Sequence, residues 1–243
     1  MKKKLLTLVL ATIQFVSFAQ TVNLHFKNGQ IIEFPSSNVD YVDFSVKASD
    51  PFVSGEEAVD LGLSVYWASC NLGATKPEES GEYYAWGETK SKDKSQCFLN
   101  NYSYYDDNTK QYIHIGDDIS DTEYDAARVN LGDNWRMTTY TEIDELAKNC
   151  SWEWTQINEV NGFKITGSNG NSIFLPAAGL KAEGLDMLFN EGSYYWGAAY
   201  IESWSASGSR ATAFGGGSGS QSNIFFSPRY YGYTIRPVKS KSN

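Results

Sequence analysis

Apolar side chains in this chain fall in short alternating runs separated by polar stretches, and few segments carry a helical period. Val22, Leu24 and Phe26 alternate with polar residues, Asn28-Gly29 is a two-residue hairpin signal, and Ile31, Ile32 and Phe34 continue a return strand that Pro35 stops. Residues 39–44 add a candidate third strand. A module this small is not expected to stand alone, so it packs on the rest of the chain or pairs with another chain. Residues 47–57, with Asp50-Pro51 and Ser54-Gly55, read as a linker. Leu61, Leu63, Val65 and Trp67 then keep a period of two, which predicts one strand, and residues 83–86 predict a second, aromatic one.

Residues 88–118 are polar and read as long excursions. Residues 122–130 have Tyr124 and Ala127 at helical spacing. A clearer helix is predicted over 140–148, where Thr139 and Glu142 form a capping box and Ile143, Leu146 and Ala147 give a buried face. Short strands follow at 152–156, 162–166 and 172–175, with Ser168-Asn169-Gly170-Asn171 as a turn and Pro176 as a stop. A last strand is predicted at 233–238, where Pro237 argues for an edge position. Few helices and many short strands predict an α+β fold with long loops.

The first 20 residues break this pattern. Lys2, Lys3 and Lys4 precede an apolar run over 5–18, and Ser17-Phe18-Ala19 offers a small-x-small cleavage site before Gln20. The run is shorter than the ~20 residues of a spanning helix. No Cys follows it to carry a lipid. The expectation is therefore a signal peptide and an exported protein that is secreted, periplasmic or held at the outer-membrane surface, with no integral membrane segment after cleavage. Cleavage removes three of the 20 basic residues and none of the 29 acidic ones, which leaves a net charge of −12. Such a surface repels phosphate backbones, so nucleic acid is not an expected partner.

Cys70, Cys97 and Cys150 are an odd number for an oxidising compartment and match no zinc spacing. His25 and His114 are the two imidazoles, and neither sits in a zinc or Ser-His-Asp motif. The acidic run Asp117, Asp118, Asp121, Glu123 and Asp125 has the oxygens calcium prefers but not an EF-hand spacing, and reads instead as an acidic helix start. The pairs Glu78-Glu79 and Glu142/Glu145 read as a turn and an exposed helix face, with nothing to make them a glycosidase pair. No cofactor and no metal are expected.

Five strings occur in order: Val59-Asp60-Leu61-Gly62-Leu63-Ser64-Val65-Tyr66-Trp67, Trp135-Arg136-Met137-Thr138-Thr139, Leu175-Pro176-Ala177-Ala178-Gly179, Tyr195-Trp196 and Arg236-Pro237-Val238. Trp67 and Trp135 read as large core anchors. Arg136 reads as the partner of a buried carboxylate or of helix-end carbonyls. As an ordered set over residues 58–239, the strings resemble the Fibrobacter succinogenes major paralogous domain family of Bacteroides-type exported proteins. That resemblance implies a C-type-lectin-like fold, distantly similar to formylglycine-generating enzymes and phage tropism determinants, preceded here by the small β-hairpin module at 21–46. The Glu-Pro-Asn or Gln-Pro-Asp string of calcium-dependent sugar-binding lectins is missing from the sequence. So is the C-terminal cysteine pair of the formylglycine-generating enzymes.

The richest recognition surface in the sequence is 192–233, where aromatic residues alternate with Ser, Gly, Asn and Arg. That composition suits adaptable binding loops and flat sugar rings. Tyr195 and Trp196 read first as core. Tyr200, Trp204, Arg210, Arg229, Tyr230 and Tyr231 are the candidate ligand contacts. The Gly-Ser run at 215–220 reads as a loop. The expected function is noncatalytic recognition or adhesion, with a glycan or protein ligand at the cell surface. The alternatives are a structural subunit of a surface assembly, using the N-terminal hairpin for strand addition, and an enzyme of the formylglycine-generating type. If the C-terminal aromatics prove to be core, the recognition face falls to residues 88–118.

Overall fold

A computed structural model describes residues 21–25, 31–35, 57–132, 134–200, 207–219 and 223–241. The chain divides into two units, residues 1–50 and 51–243. In the first unit, β1 (Thr21–His25) pairs antiparallel with β2 (Ile31–Pro35). Thr21 faces Pro35 and His25 faces Ile31, so the register is centred on Asn28. The Asn28-Gly29 turn itself lies outside the described residues. The candidate third strand at 39–44 lies outside the described residues.

The second unit opens on a hairpin where a single strand was expected. β3 (Ala58–Asp60) pairs antiparallel with β4 (Val65–Ala68). The Asp60 carboxylate accepts the Gly62 N–H at 2.8 Å, and Gly62 takes φ +77°, a left-handed conformation that glycine adopts without a Cβ penalty. Leu61 and Leu63 keep their alternation and are buried, but in the connection.

Residues 83–86 form no strand, and Tyr84 makes a single bridge to Tyr233. The polar excursion holds two short 3₁₀ turns, Lys94–Gln96 and Leu99–Asn101, and a small hairpin of β5 (Tyr105–Asp106) and β6 (Gln111–Tyr112).

The helix expected at 122–130 is α1 (Ala126–Leu131). It starts late because Asp125 is its N-cap and accepts the Arg128 N–H. Helix α2 (Tyr140–Asn149) has the expected capping box of Thr139 and Glu142. A three-stranded antiparallel sheet follows, formed by β7 (Ser151–Ile157), β8 (Val160–Thr166) and β9 (Ser172–Pro176), close to the predicted bounds. Next come a hairpin of β10 (Leu180–Ala182) and β11 (Leu185–Met187) and a sheet of β12 (Gly192–Trp196), β13 (Arg210–Gly217) and β14 (Asn223–Pro228). The final strand is β15 (Val238–Ser240), an edge strand on β4, and not 233–238; Tyr233 and Thr234 contribute isolated bridges. The architecture is α+β and rich in small antiparallel sheets.

Strand alternation on β12 and β13 divides the interior in two. Tyr195 and Phe214 pair across the strands, with rings 5.4 Å apart, and face one cluster with Trp67, Ile143, Leu146, Phe163, Leu175 and Val238. Trp196 and Ala213 point to the opposite cluster with Trp86, Met137, Ile119 and Tyr233. Tyr195 and Trp196 are both fully buried, as the core reading required. Trp196 stacks on Tyr233 at 4.5 Å, and its indole N–H donates to the Tyr84 carbonyl. Such rings supply large buried areas to a chain with few long apolar runs. Arg236 is fully buried and donates to the Asn71 side chain and to the carbonyls of Ala68, Ser69 and Phe174, so one side chain ties together three separate segments.

Three further expectations change. Trp135 is half-buried, not a core anchor like Trp67; Lys239 lies 6.0 Å from its ring. Glu142 is not on an exposed helix face. It is buried, takes both Nη groups of Arg136 and closes the capping box by accepting the Thr139 N–H. Gly215, Gly216 and Gly217 are not loop residues but the end of β13. Gly215 has φ +134°, and a Cβ there would stand 1.8 Å from the Ser193 carbonyl oxygen.

Candidate functional site

Four pieces of chain meet at one surface cleft. They are β6 with the residues after it, the stretch following β12, residues 207–209 before β13, and the turn after β14. Backbone bonds fix them together. Tyr200 N–H donates to the Asp117 carbonyl at 2.7 Å, Asp118 bridges to Ala199, and Arg229 N–H donates to the Ser209 carbonyl at 3.0 Å. The cleft has a volume of about 510 Å³ and is lined by Tyr112, His114, Asp117, Tyr200, Ser207, Gly208 and Arg229. That size is within the usual range of small-ligand sites.

Arg229 belongs to the inner wall. It is 2 % exposed, and its guanidinium carbon lies 4.6 Å from the Trp86 ring centroid and 5.7 Å from that of Tyr112. Nε donates to the Tyr102 hydroxyl at 2.9 Å, Nη1 to the carbonyls of Ile113 and Gly208, and Nη2 to Ile113. The Tyr102 hydroxyl passes a hydrogen bond on to the Trp86 carbonyl. Burial pushes the Tyr102 phenol far up, against the opposing pull of Arg229, so it stays a neutral donor. Arg229 is therefore a structural hub before it is a contact. The candidate contact Arg229 is thus a buried cation that lines the cleft, not an exposed loop residue.

The rim is exposed. His114 and Asp117 show 65 % and 83 % of their side chains to solvent, with Nε2 and Oδ1 3.7 Å apart. The His114 ring meets Tyr200 edge-on at 5.7 Å. Behind it runs a cluster of rings: Tyr112 lies 5.1 Å from Tyr105 and 6.2 Å from Tyr102, and Tyr104 packs edge-on against Tyr102 and Tyr124. Burial also raises the Tyr112 phenol, opposed by Arg229.

The six candidate contacts separate. Tyr200 and Arg229 line the cleft. Arg210 begins β13, exposed, with Nη1 donating to the Phe226 carbonyl. Tyr230 is half-buried, its hydroxyl donating to Glu183, and meets Tyr231 edge-on at 4.9 Å. Tyr231 packs against the core cluster. None of these three is among the residues lining the cleft. Trp204 lies outside the described residues. Sequence reasoning did not single out Tyr112, His114, Asp117, Ser207 or Gly208, although the first three lie in the fallback face 88–118 and the last two in the region 192–233. The signal available was the density of tyrosines over 102–112 in an otherwise polar excursion.

The polar groups of the cleft are engaged as follows. Ser207, His114 and Asp117 share it, but the Ser207 hydroxyl donates to Ser209, and the His114–Asp117 distance exceeds the reach of a catalytic hydrogen bond. Among the described residues, no group of three or more His, Cys, Asp or Glu side chains is placed to hold a metal ion. Asp125, from the acidic run, is buried and accepts three backbone N–H bonds, from Asp121, Arg128 and Met137. Cys70, Cys97 and Cys150 are not joined in disulfides, and burial pushes the Cys97 thiol up to about 11, which favours its protonated form. No protein-family model, curated protein or solved structure matches this chain. No helix among the described residues is long and apolar enough to cross a membrane.

Proposed function

We propose that the protein is an exported, noncatalytic recognition module of the C-type-lectin-like kind that its ordered sequence strings resemble, and that it binds a glycan at the cleft around Tyr112, His114 and Tyr200. The observation that carries this reading is the cleft itself: about 510 Å³, lined by the rings of Tyr112, His114 and Tyr200, with a few polar groups converging on it and, among the described residues, no nucleophile held by a base. Ring faces beside hydrogen-bonding groups suit a pyranose, whose apolar face stacks while its hydroxyls are exchanged for protein partners. The test is binding of the purified protein to a glycan array, with calcium and with chelator. Binding unaffected by the chelator is the expected result, and a blank array overturns the reading. Export is tested by the mass of the secreted product, which should begin within two residues of Gln20.

One observation favours a second reading, a subunit of a surface assembly. Leu185, Met187, Leu188 and Phe189 are all exposed on and beside β11, which pairs on one side with β10. Exposed apolar residues grouped at a strand edge mark association surfaces.

A further inference from the structure

The charges around the cleft narrow the ligand class, an inference that rests on the glycan reading above. Arg229 is a full positive charge, 98 % removed from solvent, and every polar partner it has among the described residues is neutral: one phenol and two carbonyls. No described carboxylate lies within ion-pairing distance of it. Glu88, a buried acid in the same region, is taken by Lys92 at 2.6 Å and by the Ser103 N–H. The four bonds of Arg229 use four of its five N–H groups. A cation held in a low-dielectric wall with no counter-charge among the described residues projects its field into the space beside it, here the cleft it lines. In a chain of net charge −9 this is a local reversal of sign.

The rim carries the opposite sign. Asp117 accepts hydroxyl hydrogen bonds and repels anions, so a carboxylate bound here must sit away from Asp117 and toward Arg229. Tyr112 and Tyr200 supply rings to the same cleft.

We infer that the cleft takes a carboxylated pyranose, a uronic-acid type of sugar, with its carboxylate toward Arg229 and its hydroxyls toward Asp117 and His114. A neutral sugar fills the same space but leaves the buried charge uncompensated.

The test varies the ligand, because removing Arg229 also removes a structural hub. Methyl glucuronide, the methyl ester of the same sugar, and methyl glucoside are titrated into the full-length protein and followed by NMR. The acid should bind about tenfold or more tightly than either neutral sugar, a difference of about 1.4 kcal/mol. Added salt should weaken binding of the acid and leave the ester unchanged. Ring resonances of Tyr112, His114 and Tyr200 should move with the acid. Equal binding of acid and ester overturns the charge inference while the glycan reading stands. So does binding of neutral glycans on the array with no response to the acid. Failure of all three sugars together with a blank array overturns both.

Discussion

The guanidinium carbon of Arg229 lies on the solvent-shielded side of the cleft, 4.6 Å from the centroid of the Trp86 ring. The contact joins the core to the cleft. Trp86 is a fully buried core residue, its indole N–H donating to the Gly197 carbonyl, and Gly197 begins the stretch that leads to Tyr200. One cation therefore holds the floor, the residues after β6 and the residues before β13 in a single arrangement.

Replacement of Arg229 should be costly to the fold. Arg229→Met leaves the Tyr102 hydroxyl and the carbonyls of Ile113 and Gly208 without their donor, and a loss of about 3 kcal/mol in denaturant unfolding is expected. A loss below about 1 kcal/mol would show that these bonds do not hold the cleft walls.

The Arg136–Glu142 pair sets a pH dependence. Burial alone would raise the Glu142 carboxyl, but the hydrogen bonds from Arg136 and from the Thr139 backbone outweigh it and hold the group below the usual glutamate range. A carboxyl with a depressed folded-state pKa adds stability that is present above its unfolded value of 4.5 and lost as pH falls through the lower folded value. Glu142→Gln should therefore cost about 3 kcal/mol at neutral pH and have a flatter stability profile than the wild type below pH 4.5. Parallel acid profiles of the two proteins would contradict this account.

The two tryptophans of the sequence strings should behave differently. Trp67 is fully buried and packs edge-on against Phe214, so Trp67→Ala should cost about 3–5 kcal/mol. Trp135 is half-buried beside Lys239, and Trp135→Ala should cost roughly half as much. Equal losses in thermal or urea unfolding would put Trp135 in the core after all.

Much of the fold was legible because local chemistry decided it. The Thr139–Glu142 capping box and the alternation of β7, β8 and β9 act within a few residues, and both are found near their predicted places. The partner of Arg136 was legible as one of two kinds, a buried carboxylate or helix-end carbonyls, and Glu142 is the first of these. Where position was set by contacts distant in sequence, the reading failed. Leu61 and Leu63 alternate like a strand, yet Gly62 turns the chain between them, since burial of both is satisfied in a tight connection. The Gly run at 215–217 looked like a loop because nothing local reveals that the Ser193 carbonyl leaves no room for a Cβ. The cleft was half legible. Tyr200 and Arg229 lie in the aromatic C-terminal region that drew attention, while Tyr112, His114 and Asp117 come from an excursion more than 80 residues earlier. Backbone bonds such as Tyr200 to Asp117 bring the two together, and no sequence period announces them.

Gly215 gives a direct check on that strand. Gly215→Ala forces a Cβ into the Ser193 carbonyl at a left-handed φ, which must part β12 from β13. A loss of about 2–3 kcal/mol is expected. Gly219→Ala, where nothing lies within 4 Å, should show backbone strain alone and a smaller loss. Comparable losses for the two would contradict the close-approach argument.

The central claim is that the cleft lined by Tyr112, His114, Asp117, Tyr200, Ser207, Gly208 and Arg229 is where the ligand binds. Its most direct measurement is glycan-array binding of the wild-type protein beside two variants, His114→Ala and Ser207→Trp. Both side chains are exposed, so substitution should change stability by about 0.5 kcal/mol or less, while Ser207→Trp places a large ring in the cleft mouth. The account predicts that both variants melt within a few degrees of the wild type and that Ser207→Trp loses about tenfold or more in binding, with a smaller loss for His114→Ala. Unchanged binding by a folded Ser207→Trp protein would contradict the claim and move the recognition face elsewhere on the molecule.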